Sequence, residues 1–131
     1  MQSQTRRVYA LNPAILIVDD DPSILSIFEF FLREKSSLLM TAKSGKEAIS
    51  CVEKQDFDII FLDFKLPDHY GNTMIKPLLD QNPSAKIYLM TGYSVDEMVE
   101  DGLEKGAAGF IHKPFEIDDI LQILEGVAHP A

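Results

Sequence analysis

The sequence predicts a single α/β domain, a doubly wound parallel sheet of five strands with five helices. Short apolar runs alternate with longer segments whose apolar residues recur three and four positions apart, as doubly buried strands alternate with crossover helices. The 131 residues, 46% hydrophobic and 25% charged, are enough for one ordinary core and too few for two. We therefore expect one domain at residues 13–128, between an N-terminal extension at 1–12 and a tail at 129–131.

Five short segments are predicted to be strands. The first, third and fourth are rich in Ile, Val and Leu, which is typical of strands buried on both faces, whereas the second and fifth are shorter and less apolar. The predicted strands are Ala14–Val18, Leu38–Thr41, Asp58–Leu62, Lys86–Met90 and Gly109–His112.

Each predicted strand is followed by a segment with an apolar stripe of helical period. These five stripes predict five helices. The residues of the stripes are Ile24, Ile27, Phe28, Phe31 and Leu32; Ala48, Ile49 and Val52; Met74, Ile75, Leu78 and Leu79; Val95, Met98, Val99 and Leu103; and Ile117, Ile120, Leu121 and Leu124.

Helix-start and helix-stop residues agree with this division of the chain. Pro22 suits a first helical turn, Ser44-Gly45 and Gly71-Asn72 precede the second and third helices, and Asn82-Pro83 and Gly106 end helices.

Composition excludes several classes of protein. The net charge of −9, from 12 basic and 21 acidic residues, opposes attraction to nucleic acid phosphates, so this domain is not expected to bind DNA directly. No apolar run approaches the roughly 18 residues of a membrane span, and the polar opening Met1–Gln4 does not resemble a secretory signal. The cytoplasm is therefore the expected location.

The single Cys51 excludes an internal disulfide and is expected to be a small buried apolar residue.

Polar residues with chemical potential follow the predicted strands. Parallel sheets bind ligands beyond the carboxyl ends of their strands. Asp19-Asp20-Asp21 follow the first strand, Asp63 the third, Thr91 the fourth and Lys113 the fifth. We expect the acids, the hydroxyl and the lysine to converge at one edge of the sheet.

Such a cluster of carboxylates predicts a bound cation, because the acids would otherwise repel one another. Oxygen ligands without nearby His or Cys favour magnesium, and the spacing is not that of a calcium loop. One carboxylate could then attack phosphorus, with Lys113 supplying positive charge and Thr91 a hydroxyl for a phosphoryl oxygen. The small Gly92 leaves the pocket open to a donor.

Four segments, taken in order and spacing, resemble the receiver domain of two-component signalling, and the likeness extends over residues 14–127. The segments are Ile15–Pro22, Asp58–Asp68, Tyr88–Tyr93 and Gly109–Phe115. The resemblance implies a flavodoxin-like sheet with strand order 2-1-3-4-5.

The resemblance also implies the roles of individual residues. Asp63 would be the phosphoacceptor, and Asp20 and Asp63 would ligate magnesium, with Asp19 acting directly or through water. The backbone carbonyl of Lys65 would be a further ligand. The domain would then be a signalling phosphoacceptor and not an enzyme, except that it assists its own phosphorylation and dephosphorylation.

The resemblance also implies a conformational switch. Thr91 and Lys113 would hold the phosphoryl group, and the Lys113-Pro114 peptide bond would be cis, which X-Pro bonds tolerate. Thr91 would move toward the added charge and Phe110 would turn inward. The surface of the fourth and fifth helices and the fifth strand would change as a result.

The implied partners are proteins. A sensor histidine kinase or a phosphotransfer protein would donate the phosphoryl group, and a downstream protein or output domain would bind the altered surface. No membrane partner is expected, and a homodimer is left open.

Two alternatives remain beside this reading. A haloacid-dehalogenase-like phosphatase would use Asp19 as nucleophile in Asp19-x-Asp21-x-Ser23, but it needs a later acidic motif, and Asp118-Asp119 falls on a predicted helix. A pseudo-receiver would only bind proteins, although degenerate members usually lack an acid, the hydroxyl or the lysine. Which aspartate becomes phosphorylated distinguishes these readings.

Several residues also have a purely structural interpretation. Asp21, which precedes Pro22, is expected to cap the first helix and is left outside the site. An aromatic residue in a strand, such as Phe110, is usually part of the core. Lys65 and Tyr93 flank the pocket. None of the histidines (His69, His112 and His129) has metal-ligand spacing.

Overall fold

The computed structural model describes residues 12–92 and 96–128. Within these ranges five parallel strands form one sheet in the order β2-β1-β3-β4-β5, as the resemblance implied. The strands are β1 (Ala14–Val18), β2 (Leu38–Ala42), β3 (Ile59–Asp63), β4 (Lys86–Thr91) and β5 (Gly109–His112).

Five α-helices connect or follow these strands, which confirms the predicted alternation. They are α1 (Pro22–Leu32), α2 (Gly45–Lys54), α3 (Gly71–Gln81), α4 (Asp96–Glu104) and α5 (Ile117–Ala128), with a 3₁₀ turn at Arg33–Lys35 after α1. None of the helices in the two described ranges is long and apolar enough to cross a membrane.

Some predictions fall outside the described residues. These are the N-terminal extension except Asn12, the tail at 129–131 with His129, and the pocket-flanking Tyr93 with the nearby Val95. The boundaries of the extension and the tail stay predictions.

The third strand lies one residue later than predicted. The β3–β4 ladder continues to the pair Asp63 and Met90, so Asp63 is the last residue of the strand and does not follow it. Asp58 stands before the strand, where its Oδ2 accepts a hydrogen bond from the Ala14 amide at 2.8 Å. Thr91 likewise ends β4.

The starts of α1 and α2 are explained by their side-chain caps. Asp21 caps α1, since its Oδ1 accepts from the Ser23 amide at 2.8 Å, as predicted. Ser44 caps α2 through the Glu47 amide at 3.1 Å. Helix α3 begins at Gly71 itself and not after it, because this first turn packs on the backbone of β3: a Cβ on Gly71 would lie 2.6 Å from the Asp63 carbonyl oxygen.

Two apolar clusters cover the two faces of the sheet. Successive residues of β1 and β3 are fully buried and alternate between the clusters, as the period of a strand requires. One cluster joins the sheet to α2 and α3, and the other joins it to α1 and α5.

The predicted helical stripes are not entirely buried. In α1, Ile27 is 41% and Phe31 is 42% exposed, and in α4, Met98 is 41% and Leu103 is 43% exposed. Helical period alone does not distinguish a side chain at the centre of the buried stripe from one at its border. Cys51 is half-buried on α2.

Candidate functional site

The ends of β1 and β3 bring three carboxylates together. Oxygens of Asp19, Asp20 and Asp63 lie within 4.8 Å of one another. Asp19 is fully buried and Asp63 is 8% exposed, whereas Asp20 is exposed. The predicted convergence of the acids is therefore present in the fold.

Lys113 reaches this cluster from the loop after β5. Its Nζ donates to Asp19 Oδ2 at 2.6 Å and to Asp63 Oδ1 at 3.1 Å. Its backbone amide donates to the Thr91 carbonyl at 2.8 Å, and the Lys113-Pro114 peptide bond is cis, as the resemblance implied. The lysine thus joins two carboxylates that stand at the ends of different strands.

Asp19 is held at both carboxylate oxygens. Oδ2 accepts from Lys113, and Oδ1 accepts from the Asp21 amide at 2.9 Å. The Asp19 amide in turn donates to the Ala42 carbonyl at 3.0 Å. Asp19 is therefore held in a fixed position close to Asp63.

The charge of Asp63 is poorly stabilised by the protein alone. Burial above all, together with the negative charges of Asp19 and Asp20, raises the pKa of its carboxyl to about 6, although the charge and the hydrogen bond of Lys113 oppose this rise. For Lys113, burial acts to lower the pKa, but the hydrogen bond and charge of Asp19 and of Asp63 outweigh it and raise the pKa. The pocket consequently favours a further positive charge.

An open cleft of about 600 Å³ gives access to Asp63. A Cβ placed on Gly92 would meet no atom within 4 Å, so this part of the cleft has room for a donor, as predicted. The cleft is lined by Asp20, Asp63, Phe64, Lys65, Leu66, Pro67, Gly92 and Lys113.

Thr91 and Phe110 occupy neighbouring strands. Thr91 is buried at the end of β4, next to His112 of β5 in the sheet register. Phe110 is 41% exposed and lies edge-on to the His112 ring, with centroids 5.3 Å apart. The alternative interpretation of Phe110 as a core aromatic is therefore wrong.

The acidic pair required by the phosphatase alternative lies elsewhere. Asp118 and Asp119 are in the first turn of α5, where Asp119 Oδ2 accepts from the Glu116 amide at 3.4 Å. Among the residues that the structure describes, the only group of three potential metal ligands is the Asp19, Asp20 and Asp63 cluster.

Sequence reasoning missed Asp68. Its carboxylate accepts hydrogen bonds from the amides of Gly45 and Lys46, which are 23 and 22 positions away. No local pattern indicates such a contact, because it depends on how the loop before α3 packs on the start of α2.

A deeply placed carboxylate at the end of the central strand, flanked by two acids and a lysine on a 2-1-3-4-5 sheet, defines a class of phosphoryl-accepting signalling domain. Comparison with known proteins agrees: the family profile of the response regulator receiver domain matches residues 15–125. The chain belongs to this family.

Similar curated proteins are transcriptional regulatory proteins. Transcriptional regulatory protein ZraR of Escherichia coli (strain K12) is 33% identical over 119 residues, which are 90% of this chain and 27% of ZraR. Probable transcriptional regulatory protein TcrX of Mycobacterium tuberculosis is 30% identical over 116 residues, 88% of this chain and 50% of TcrX. The chain thus spans a quarter to a half of the length of these relatives.

Solved structures share the fold. A CheY-like receiver domain protein from Methanospirillum hungatei JF-1 superimposes with a TM-score of 0.83 at 29% identity, covering 89% of this chain and 94% of that one. A response regulator protein from Burkholderia pseudomallei, solved with a phosphorylated aspartic acid, a calcium ion and citrate, gives a TM-score of 0.81 at 26% identity, covering 89% of this chain and 69% of that one.

Proposed function

We propose that this receiver domain is the phosphoacceptor of a two-component His-Asp phosphorelay and that Asp63 takes the phosphoryl group. The observation that carries the proposal is the difference between the two buried acids. Asp63 lines the open cleft, whereas both oxygens of Asp19 are already bound, by Lys113 and by the Asp21 amide. Asp63 is therefore the better placed nucleophile, and the phosphatase alternative with Asp19 as nucleophile is disfavoured.

The donor set fits a hard divalent cation, and we propose magnesium. All candidate ligands are oxygens: the carboxylates of Asp19, Asp20 and Asp63 and the backbone carbonyl of Lys65, a residue that lines the cleft. Magnesium uses few carboxylates and keeps several waters. When bound, it would offset negative charge on the incoming phosphoryl oxygens. The calcium ion in the Burkholderia pseudomallei protein supports a divalent cation in this family.

Three residues of the chain have separate roles in the transfer of the phosphoryl group. A carboxylate oxygen of Asp63 forms a bond to phosphorus while the bond from phosphorus to the donor's histidine nitrogen breaks, and that nitrogen keeps the electron pair. Lys113, which already donates a hydrogen bond to Asp63, neutralises negative charge on the transferred group. The Thr91 hydroxyl donates to a phosphoryl oxygen. Phosphoryl transfer requires mainly such positioning and charge neutralisation.

The proposed signal leaves through the surface of α4, β5 and α5. Thr91 would move toward the phosphoryl group and Phe110 would turn inward, and the exposure of Phe110 gives its ring freedom to do so. A sensor histidine kinase or phosphotransfer protein would be the donor, and a downstream protein or output domain would bind the altered surface. A partner protein shifts the equilibrium between the inactive and the active conformation of the domain only if it binds one of the two more tightly.

Phosphorylation can be tested with a small acyl phosphate. We expect the protein incubated with acetyl phosphate and magnesium chloride to gain the mass of one phosphoryl group, and the Asp63→Asn variant to gain none. Omission of magnesium should abolish the adduct on the parent protein. Intact-mass spectrometry gives the stoichiometry, and borohydride reduction followed by peptide mapping identifies the modified aspartate.

The outcomes separate the three readings. An adduct mapped to Asp19 would favour the phosphatase-like alternative. A parent protein that remains unmodified over a range of magnesium concentrations, while a known receiver domain in the same buffer is modified, would favour the pseudo-receiver.

A further inference from the structure

The loop between β3 and α3 is attached to a helix that carries none of the pocket residues. Asp68, in this loop, accepts hydrogen bonds from the Gly45 amide at Oδ1 (2.8 Å) and from the Lys46 amide at Oδ2 (3.0 Å). Gly45 and Lys46 are the first two residues of α2, whose amides have no partner within their own helix. One carboxylate from another loop supplies the missing acceptors for both.

The contact is close, and its acceptor is a charged carboxylate. A Cβ on Gly45 would lie 2.7 Å from Nδ1 of His69 and 3.3 Å from Oδ1 of Asp68, so the helix start and the loop touch directly. The hydrogen bond from the Gly45 amide, with that from Lys46, holds the pKa of Asp68 below its usual range. A negative charge at a helix N-terminus is also favourable.

The same loop forms one wall of the cleft. Lys65, Leu66 and Pro67 line it beside Asp63. The Leu66 amide donates to the His69 carbonyl at 3.0 Å, and Lys65 pairs with Tyr70 in an isolated antiparallel bridge. The short wall is therefore fixed at one end by β3 and at the other by the attachment of Asp68 to α2.

We propose that Asp68 is a positioning residue of the phosphoacceptor site: by binding the N-terminus of α2 it holds the Lys65–Pro67 wall in place, so that the Lys65 backbone is presented to the metal before the metal binds. This inference rests on the proposed function, because it assumes that the cleft takes a divalent cation. Asp68 itself does not line the cleft and acts through the loop.

A matched pair of variants tests the proposal. Asp68→Ala removes the loop attachment, whereas Ser44→Ala removes the other cap of the same helix, the bond to the Glu47 amide, without touching the loop. Both should lower the melting temperature, since each leaves amides at the start of α2 without an acceptor. Only Asp68→Ala should weaken magnesium binding, by about 10- to 100-fold, the usual effect of losing a group that orients a ligand.

Calorimetric titration of the metal-free proteins with magnesium chloride measures this affinity. Asp68→Asn, which keeps one acceptor oxygen, should have an affinity between that of the parent protein and that of Asp68→Ala, and it serves in place of Asp68→Ala if that variant does not fold. Equal magnesium affinities for the Asp68 and Ser44 variants would overturn the inference.

Hydrogen exchange separates this inference from the proposed function. In the metal-free protein, the Leu66 and Gly71 amides should exchange faster in the Asp68 variants and at the parental rate in Ser44→Ala. If the parent protein does not bind magnesium, the proposed metal site is wrong. The exchange rates still decide whether Asp68 holds the loop. Unchanged exchange rates in the Asp68 variants would show that Asp68 does not hold the loop.

Discussion

Asp63 carries a charge that this fold stabilises poorly. Its side chain is almost buried and has two acidic neighbours, and a single lysine opposes them. The folded protein without metal therefore prefers the protonated carboxyl at a pH where the unfolded chain is ionised. This preference couples the stability of the protein to pH.

The pKa shift of Asp63 predicts whether stability rises or falls with pH, because folding and proton binding are linked. The pKa of Asp63 rises from 3.8 to about 6 on folding, so the folded state binds more protons between these values, and stability should fall as the pH rises through this window. A pKa difference of about 2 corresponds to at most about 3 kcal/mol. Asp63→Asn should escape this loss, so that its stability advantage over the parent grows from pH 4 to pH 6 and is constant above.

Urea unfolding at a series of pH values, with a chelator present, measures this difference. Asp118→Asn, on the exposed first turn of α5, controls for the removal of one negative charge. Parallel stability curves for the parent and Asp63→Asn would contradict the prediction.

At the level of elements, the sequence predicted β1 and β5 to the residue, and it predicted the other strands to within one residue. Apolar runs carry this information because a doubly buried strand is apolar throughout. The start of α3 was placed too late, because it depends on a glycine packing on the backbone of β3. The candidate site was predictable, since strand ends converge by topology, whereas the contact of Asp68 with α2 was not.

Helices α3 and α4 are joined by one buried amide. The Asn72 Nδ2 donates to the Met98 carbonyl and to Asp101 Oδ2, both at 2.9 Å. The Asn72 Oδ1 is buried without a hydrogen-bond partner among the described residues. A Cβ on Gly102 would collide with Cδ1 of Leu89, so α4 packs closely at this point. The position of α4 is thus linked to the two hydrogen bonds that the Asn72 amide donates.

We expect a double-mutant cycle to detect this link. Asn72→Ala and Asp101→Ala should show a coupling energy of about 1 kcal/mol in the free energy of unfolding, because the acceptor is a charged but half-exposed carboxylate. Glu100→Ala, at the neighbouring exposed position of α4, should combine additively with Asn72→Ala. Chemical unfolding of the single and double variants measures both values, and equal coupling in the two cycles would contradict the prediction.

On the scale of the whole molecule, one sheet contributes side chains to both apolar clusters, one on each of its faces. Ile59 and Ile60 are adjacent and fully buried, yet they belong to opposite clusters. Loss of packing on one face therefore disturbs the same strand that supports the other face. The two clusters should not unfold separately.

Matched substitutions at these two positions test this expectation. Ile59→Ala and Ile60→Ala should each lower the free energy of unfolding by about 2–5 kcal/mol, and Ile27→Ala, at a position 41% exposed, should cost less. In each variant, far-UV circular dichroism and tyrosine fluorescence should report a single, coincident transition. Two separate transitions in either core variant would show that the faces are independent.

The position of the reactive carboxylate within the sheet has a further consequence. Asp63 ends β3, a strand buried along its whole length between β1 and β4, whereas β5 lies at the margin with two of its four residues exposed. Close packing leaves the central strand no room to shift. We therefore expect the proposed rearrangement after a reaction at Asp63 to be taken up at the margin, where a second molecule can recognise it without obstructing the path of the next phosphoryl donor.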